Sequence, residues 1–254
     1  MTSPPRLWLR PALWFTAASI ATTTLHELAH AVTGCTLGVA STLYSYSVDL
    51  DTNSTTDQRA LIGLAGPVTS LVLGVIAAVW FRHVKDDSAK ALPLLYLTVF
   101  GIATFFGNLM SASFVGDFSR VADALAMSMP VRYACTAIGG IGLIAVQFWA
   151  GRMLAGWIPP QMSAVIGVLG LVVLPVTLGT AAVILINQPM PSSWIGPRIA
   201  EASFWVFSVI GALVTGQRVA PADRTLRLHW ADLAAALVAI LAVRLMVRGI
   251  PFVP

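Results

Sequence analysis

The sequence predicts an all-α polytopic membrane protein, a bundle of six or seven transmembrane helices with a short β-hairpin or strand after the first helix. Hydrophobic residues make up 57% of its 254 residues, and charged residues only 10%. A soluble globular domain carries about 25% charged residues, so a chain this apolar is expected to lie in a lipid bilayer. Its length fits six or seven spans of about 20 residues each. Because no polar segment is long enough to fold separately, we expect residues 1–254 to form a single integral membrane domain.

The first predicted span runs from Pro11 to Gly34 and is preceded by Arg6 and Arg10. Basic residues followed by an apolar run also occur in secretory signal peptides, but this run is long enough to cross a membrane. We therefore predict a retained first transmembrane helix. In the polar stretch that follows, apolar residues are interleaved with serines over 43–48, which is the pattern of a short strand or hairpin.

Six further apolar runs predict the other membrane helices. They cover residues 60–81, 92–111, 132–157, 162–186, a run ending at 215, and 230–247. The first of them opens with the small residues of Gly63-Leu64-Ala65-Gly66-Pro67, which favour a close approach between helices. Pro175 interrupts the fourth run. The last run follows a basic loop that contains Arg218, Arg224 and Arg227.

The main functional signal is the pentad His26-Glu27-Leu28-Ala29-His30, near the end of the first run. Residues four apart share one face of a helix, so His26 and His30 can bind one metal ion. Glu27 is placed to accept a proton from a metal-activated water, as in metallopeptidases that carry the H-E-x-x-H pattern. Ionisable side chains inside an apolar span are costly and usually functional. The alternative is a pair of histidines that are only hydrogen-bonded within a helix bundle; we interpret the pentad as a metal site.

A catalytic zinc site needs a third protein ligand, which must come from another span or from its end. Our candidate is Asp117, because it follows Gly116 at the end of an apolar run, where a turn can direct its carboxylate back into the bundle. Asp49, Asp51 and Asp123 are competing carboxylates in more polar segments. The alternative interpretation of Asp117 is a helix cap for the stretch that follows it.

Together these residues resemble the site-2 protease family of intramembrane zinc metallopeptidases, in a compact form without a PDZ or CBS module. The resemblance rests on the pentad with Ala31 and Gly34 after it, on Gly66-Pro67, and on Asn108 preceding Asp117. In that family a later N…P…D-G segment supplies the third ligand. Here the order is Gly116-Asp117-Phe118, and no proline lies between Asn108 and Asp117.

The resemblance implies a metallopeptidase core over residues 1–130 and additional transmembrane helices over residues 131–254. Asn108 is a candidate catalytic residue, as a hydrogen-bond donor to a peptide carbonyl or to the tetrahedral intermediate. The alternative for Asn108 is a polar link between helices.

The expected function is that of an intramembrane zinc metallopeptidase that hydrolyses a peptide bond of a membrane-spanning or membrane-proximal substrate. His26, His30 and Asp117 would hold Zn2+, and Glu27 would be the general base. Two alternatives stay open: a non-catalytic metal-binding relative that acts as a regulator or scaffold, and a transporter whose pentad lines an ion path. The expected partners are a membrane-protein or peptide substrate and the lipid bilayer, since no basic block indicates nucleic acid.

We expect a multi-pass protein of the cell membrane, for which two signals of orientation disagree. The distribution of basic residues favours a cytoplasmic N-terminus, with the pentad towards the other side. The resemblance implies an active site towards the cytoplasm.

Overall fold

The structure, a computed structural model, describes residues 8–51, 53–84, 88–159, 161–215, 226 and 228–254. Its helices are α1 (Leu9–Thr36), α2 (Thr56–Val84), α3 (Ser88–Met110), α4 (Asp117–Ala124), α5 (Met129–Ala155), α6 (Ala164–Val168), α7 (Leu174–Ile186), α8 (Ile195–Ser203), α9 (Val206–Thr215) and α10 (Trp230–Met246). A π-helical turn, Leu169–Val173, joins α6 to α7, and single 3-10 turns lie at Ser111–Ser113 and Ser192–Trp194. Arg6 and the predicted basic loop with Arg218, Arg224 and Arg227 lie outside the described residues.

Five segments in the described part of the chain are long and apolar enough to cross a membrane. They are Thr56–Val84, Ala89–Ser113, Met129–Ala155, Ala164–Ile186 and Ser192–Thr215. The predicted all-α membrane class is therefore confirmed, but the predicted count of six or seven spans is wrong. Two predicted spans account for the difference. The last helix, α10, has 17 residues, fewer than the roughly 20 that cross a bilayer, and the 28-residue α1 is made more polar by its threonines and the histidine pentad.

The outer surface of the bundle is apolar, as a lipid environment requires. On α2, Val68, Val72 and Ile76 recur every four residues and are 46%, 51% and 51% exposed. On α10, Leu237 and Leu245 are 56% and 72% exposed. In water a continuous apolar face of this kind promotes association, whereas lipid chains solvate it.

The predicted hairpin is confirmed, and it belongs to a three-stranded sheet. Strands β1 (Ser41–Leu43), β2 (Val48–Leu50) and β3 (Ile250–Phe252) are antiparallel in the order β2-β1-β3. Leu43 packs with Ala31 and Met246, so the sheet lies against the helical turn that follows the pentad. β3 was not predicted, because three residues with a central proline show no recognisable alternation.

The first helix lies at the centre of the bundle and is contacted by α2, α3, α7 and α10. Its Phe15 is 3% exposed and packs edge-on against Phe100 at 4.9 Å between ring centroids, and against Trp205 at 5.2 Å. Aromatic pairs at such distances add to the stability gained by burial. This aromatic cluster therefore fixes α1 about three turns before His26, which sets the depth of the pentad in the bundle.

A buried ion pair ties α1 to the last helix. The prediction that Arg10 is a flanking residue before the span is incomplete, because its side chain is 1% exposed and its Nε lies 2.9 Å from Asp232 Oδ2. Trp14 Nε1 donates to Asp232 Oδ1 at 2.7 Å, and the main-chain N–H of His229 donates to Asp232 Oδ2 at 2.7 Å. Arg10 Nη2 also donates to the carbonyl of Ala89 at 2.8 Å, which connects α3 to the same network.

Replacing Asp232 with alanine removes a carboxylate that pairs with the buried Arg10 guanidinium. We expect the free energy of unfolding to fall by about 3–5 kcal/mol, the usual effect of breaking one half of a buried ion pair. A lower midpoint of thermal unfolding in detergent, followed by near-ultraviolet circular dichroism, measures this loss. The matched control is Asp123→Ala, because Asp123 pairs with Arg132 at 2.7 Å but is 66% exposed, and exposed pairs contribute little. Equal losses in the two variants would contradict this role of Asp232.

Candidate metal centre

α1 turns both histidines of the pentad into the bundle. His26 and His30 are each 5% exposed, and their rings lie edge to face with centroids 4.8 Å apart. His30 Nδ1 lies 2.5 Å from the carbonyl oxygen of Ile62, and His26 Nδ1 lies 3.0 Å from Ser70 Oγ. A carbonyl oxygen only accepts hydrogen bonds, so Nδ1 of His30 carries the proton and its Nε2 presents a lone pair. This outer hydrogen bond is the arrangement that orients histidine ligands in metal sites.

The two Nε2 atoms and one carboxylate oxygen form a nearly equilateral triangle. Asp117 Oδ2 lies 3.0 Å from His26 Nε2 and 3.3 Å from His30 Nε2, and the two Nε2 atoms are 3.1 Å apart. Tetrahedral zinc, with bonds of about 2.0–2.1 Å, places its ligand atoms about 3.3 Å apart. The triangle therefore has the size of three ligands of one tetrahedral ion. At such short range these atoms are stabilised either by a proton shared in hydrogen bonds or by a cation bound between them.

A glycine-dependent turn brings Asp117 to the histidines. Gly116 has φ of 121°, a conformation that side chains rarely adopt, and a Cβ there would lie 3.0 Å from Ser111 Oγ. Gly116 itself takes the position before α4, and Asp117 is the first residue of that helix. The carboxylate thus turns to the imidazoles, which favours the predicted ligand position over the alternative interpretation as a cap.

Two glycines of α2 make room for this arrangement. A Cβ at Gly63 would lie 3.2 Å from the carbonyl oxygen of Asp117. A Cβ at Gly66 would lie 2.6 Å from His26 Nε2 and still closer to His30 Nε2. Only a residue without a side chain fits against the triangle at position 66. The prediction that the small residues of this segment allow close approach is therefore confirmed, and what approaches α2 is the histidine pair and the start of α4.

The carboxyl group of Asp117 is ionised at neutral pH. Burial alone would raise the pKa of Asp117, but when the imidazoles of His26 and His30 are protonated, their hydrogen bonds and charge outweigh burial and hold that pKa well below its ordinary value. The competing carboxylates are elsewhere: Asp49 and Asp51 are exposed, and Asp123 pairs with Arg132. Within the described ranges, His26, His30 and Asp117 are the one group of three or more histidine, cysteine or acidic side chains close enough to hold an ion.

Glu27 lies beside the triangle without being part of it. Its half-buried side chain lies within electrostatic range of His26, His30, Asp117 and Arg198. In the part of the chain that the structure describes, no hydrogen bond or ion pair engages its carboxylate. A carboxylate in this position is available to accept a proton from a water molecule at the triangle.

Asn108 lies near the end of α3, before the turn that carries Asp117. Its Nδ2 donates to the carbonyl of Thr104 at 3.0 Å, within the same helix. Its Oδ1 would lie 3.9 Å from a Cβ at Gly116. The catalytic role of Asn108 stays a prediction.

The chain was compared with known proteins at three levels. No protein-family model, curated protein or solved structure matches it. The resemblance to site-2 proteases therefore rests on the motif residues alone.

Several residues of the centre were not identified from the sequence. Ser70 follows Gly66 by four residues and so shares its helix face, which is a signal that sequence reasoning can use. The carbonyl of Ile62 carries no sequence signal, because every residue has one. Arg198 gives none either, since only the packing of the bundle brings a residue so far along the chain to Thr23, one helical turn before Glu27.

Replacing Gly66 with alanine inserts a methyl group against both Nε2 atoms. We expect the affinity for zinc to fall by about 10–100-fold, the range seen when the immediate surroundings of metal ligands are altered. Competition with a chromophoric chelator in detergent measures this affinity. Gly107→Ala is the matched control, because a Cβ at Gly107 meets nothing within 4 Å. If both variants bind zinc as tightly as the parent protein, the triangle is not the zinc site.

Proposed function

We propose that this protein is an intramembrane zinc metallopeptidase that hydrolyses a peptide bond of a membrane-spanning or membrane-proximal substrate. The observation that carries the proposal is the triangle of His26, His30 and Asp117, sized for one tetrahedral ion, with the free carboxylate of Glu27 beside it. Two imidazoles and a carboxylate suit zinc. Three protein ligands leave a fourth position open, which distinguishes catalytic from structural zinc sites.

His26, His30 and Asp117 would hold the ion, whose chemistry in such a site is to lower the pKa of water and to polarise a carbonyl group. Glu27 takes a proton from the attacking water as its oxygen forms a bond to the peptide carbon. When the carbon–nitrogen bond breaks, Glu27 delivers that proton to the leaving amine. Ile62 and Ser70 keep the imidazoles oriented during both steps by their hydrogen bonds with the two Nδ1 atoms.

The proposed substrate is a peptide segment that is locally unwound. A helix in a bilayer satisfies its own backbone groups, so its peptide bonds become accessible only after local unwinding. The exposed backbone then needs hydrogen-bond partners. β2 has one neighbour in the described sheet, and its other edge is a suitable partner for an extended segment. In this proposal the protein is a multi-pass protein of the cell membrane, and its substrate is a membrane protein or peptide.

Replacing Glu27 with glutamine removes the base but keeps the shape of the side chain. We expect zinc content to be unchanged and the cleavage rate of single-span substrates to fall by about 10²–10⁴-fold, since general-base catalysis contributes that much. Metal analysis of the purified protein and a gel-based cleavage assay in liposomes measure the two quantities. Asp57→Asn is the control, because Asp57 is exposed at the start of α2.

Asp117→Asn provides the contrast, since it should lose both zinc and cleavage. Cleavage by Glu27→Gln at the rate of the parent protein would rule out this mechanism. Zinc binding without cleavage of any substrate in the panel would point to the non-catalytic alternative. Metal-dependent ion flux in the same liposomes would point to a transporter.

A further inference from the structure

Arg198 of α8 contacts α1 one helical turn before the proposed base, Glu27. Its side chain is 17% exposed, and its Nη2 donates to Thr23 Oγ1 at 3.3 Å. Thr23 precedes Glu27 by four residues, so the two side chains share one face of α1. The charge of Arg198 acts on the carboxylate of Glu27 although the two are not in contact. A helix of the C-terminal half thus supplies a cation to the centre that the N-terminal half builds.

The guanidinium has more donors than its partners use. Nη1 donates to Glu201 Oε2 at 3.0 Å, which balances the charge, and Nη2 donates to Thr23. Arginine has five N–H groups, and in the described part of the chain the others have no hydrogen-bond partner. An arginine inside an apolar bundle is costly and usually functional. These donors are therefore available to a ligand.

Arg198 also lines a small crevice against α1. Phe15, Ser19 and Trp205 form part of its wall. Thr23, to which Arg198 donates, follows Ser19 by four residues and precedes Glu27 by four, at about 6 Å for each four-residue step. The wall of the crevice is mainly apolar, and its charged end is formed by Arg198 and Glu201.

On the basis of the proposed peptidase function, we propose that Arg198 binds a backbone carbonyl oxygen of the unwound substrate next to the scissile bond. Unwinding in an apolar bundle leaves carbonyl groups without donors, which is costly unless the protein supplies them. Arginine stays charged in such surroundings and presents several donors in a fixed plane. Arg198 is thus a substrate-binding residue, distinct from the residues that hold the ion.

The test measures substrate binding separately from cleavage. A fluorescein-labelled synthetic peptide with one apolar span and a central Gly-Pro pair is titrated with zinc-loaded Glu27→Gln protein in detergent micelles. In the Glu27→Gln background, we expect Arg198→Gln to raise the Kd for this peptide at least tenfold, with zinc content and thermal midpoint unchanged. Arg198→Lys keeps the positive charge but not the planar guanidinium group. Its Kd should lie between those of the Arg198→Gln protein and the protein with Arg198. Arg152→Gln, which removes an exposed arginine at the end of α5, should leave Kd unchanged.

An unchanged Kd in Arg198→Gln overturns the proposal. So does a loss of zinc or of thermal stability in both Arg198 variants, because Arg198 would then be a structural residue. If the Glu27→Gln protein does not bind the peptide at all, the substrate site is absent and the proposal fails. Cleavage by the parent protein is scored separately, so failure of the peptidase function is recognised by zinc binding without cleavage.

Discussion

Three lone-pair donor atoms within about 3.3 Å of one another are the constraint around which this structure is organised. Two imidazole nitrogens and an ionised carboxylate repel each other when each presents a lone pair, and a proton on an imidazole or a bound cation removes that repulsion. The surrounding structure preserves this proximity. Ile62 fixes the proton of His30 on the outer nitrogen, and Gly66 leaves the inner side of the triangle free of side-chain atoms. Such an arrangement is what a preformed ligand set requires.

The rest of the fold positions α1, which carries two of the three atoms. Aromatic packing around Phe15 fixes its depth, and the Arg10–Asp232 pair fixes its first turn against the last helix. The sheet packs on Ala31 just after the pentad. The central helix is therefore restrained on both sides of the site, and this rigidity is what a ligand geometry accurate to a few tenths of an ångström requires.

The sequence was sufficient to predict those features that depend on local chemistry. The spacing of His26 and His30, the setting of Asp117 after a glycine and the serine-rich hairpin are local patterns, and the structure brings the first three residues together. The number of spans was overestimated, because α1 contains the polar threonines and the histidine pentad and α10 is short. β3, the burial of Arg10 and the approach of Arg198 depend on contacts between distant segments. The role of a main-chain group such as the Ile62 carbonyl cannot be predicted from residue identity, because every residue has one.

We propose that one zinc ion is held by His26, His30 and Asp117. X-ray absorption spectroscopy of the zinc-loaded protein in detergent measures the atoms around that ion. We expect four nitrogen or oxygen neighbours at about 2.0–2.1 Å, with outer-shell scattering from two imidazole rings. Sulfur neighbours at about 2.3 Å, which would indicate Cys35 or Cys135, would contradict it. So would a shell without imidazole scattering.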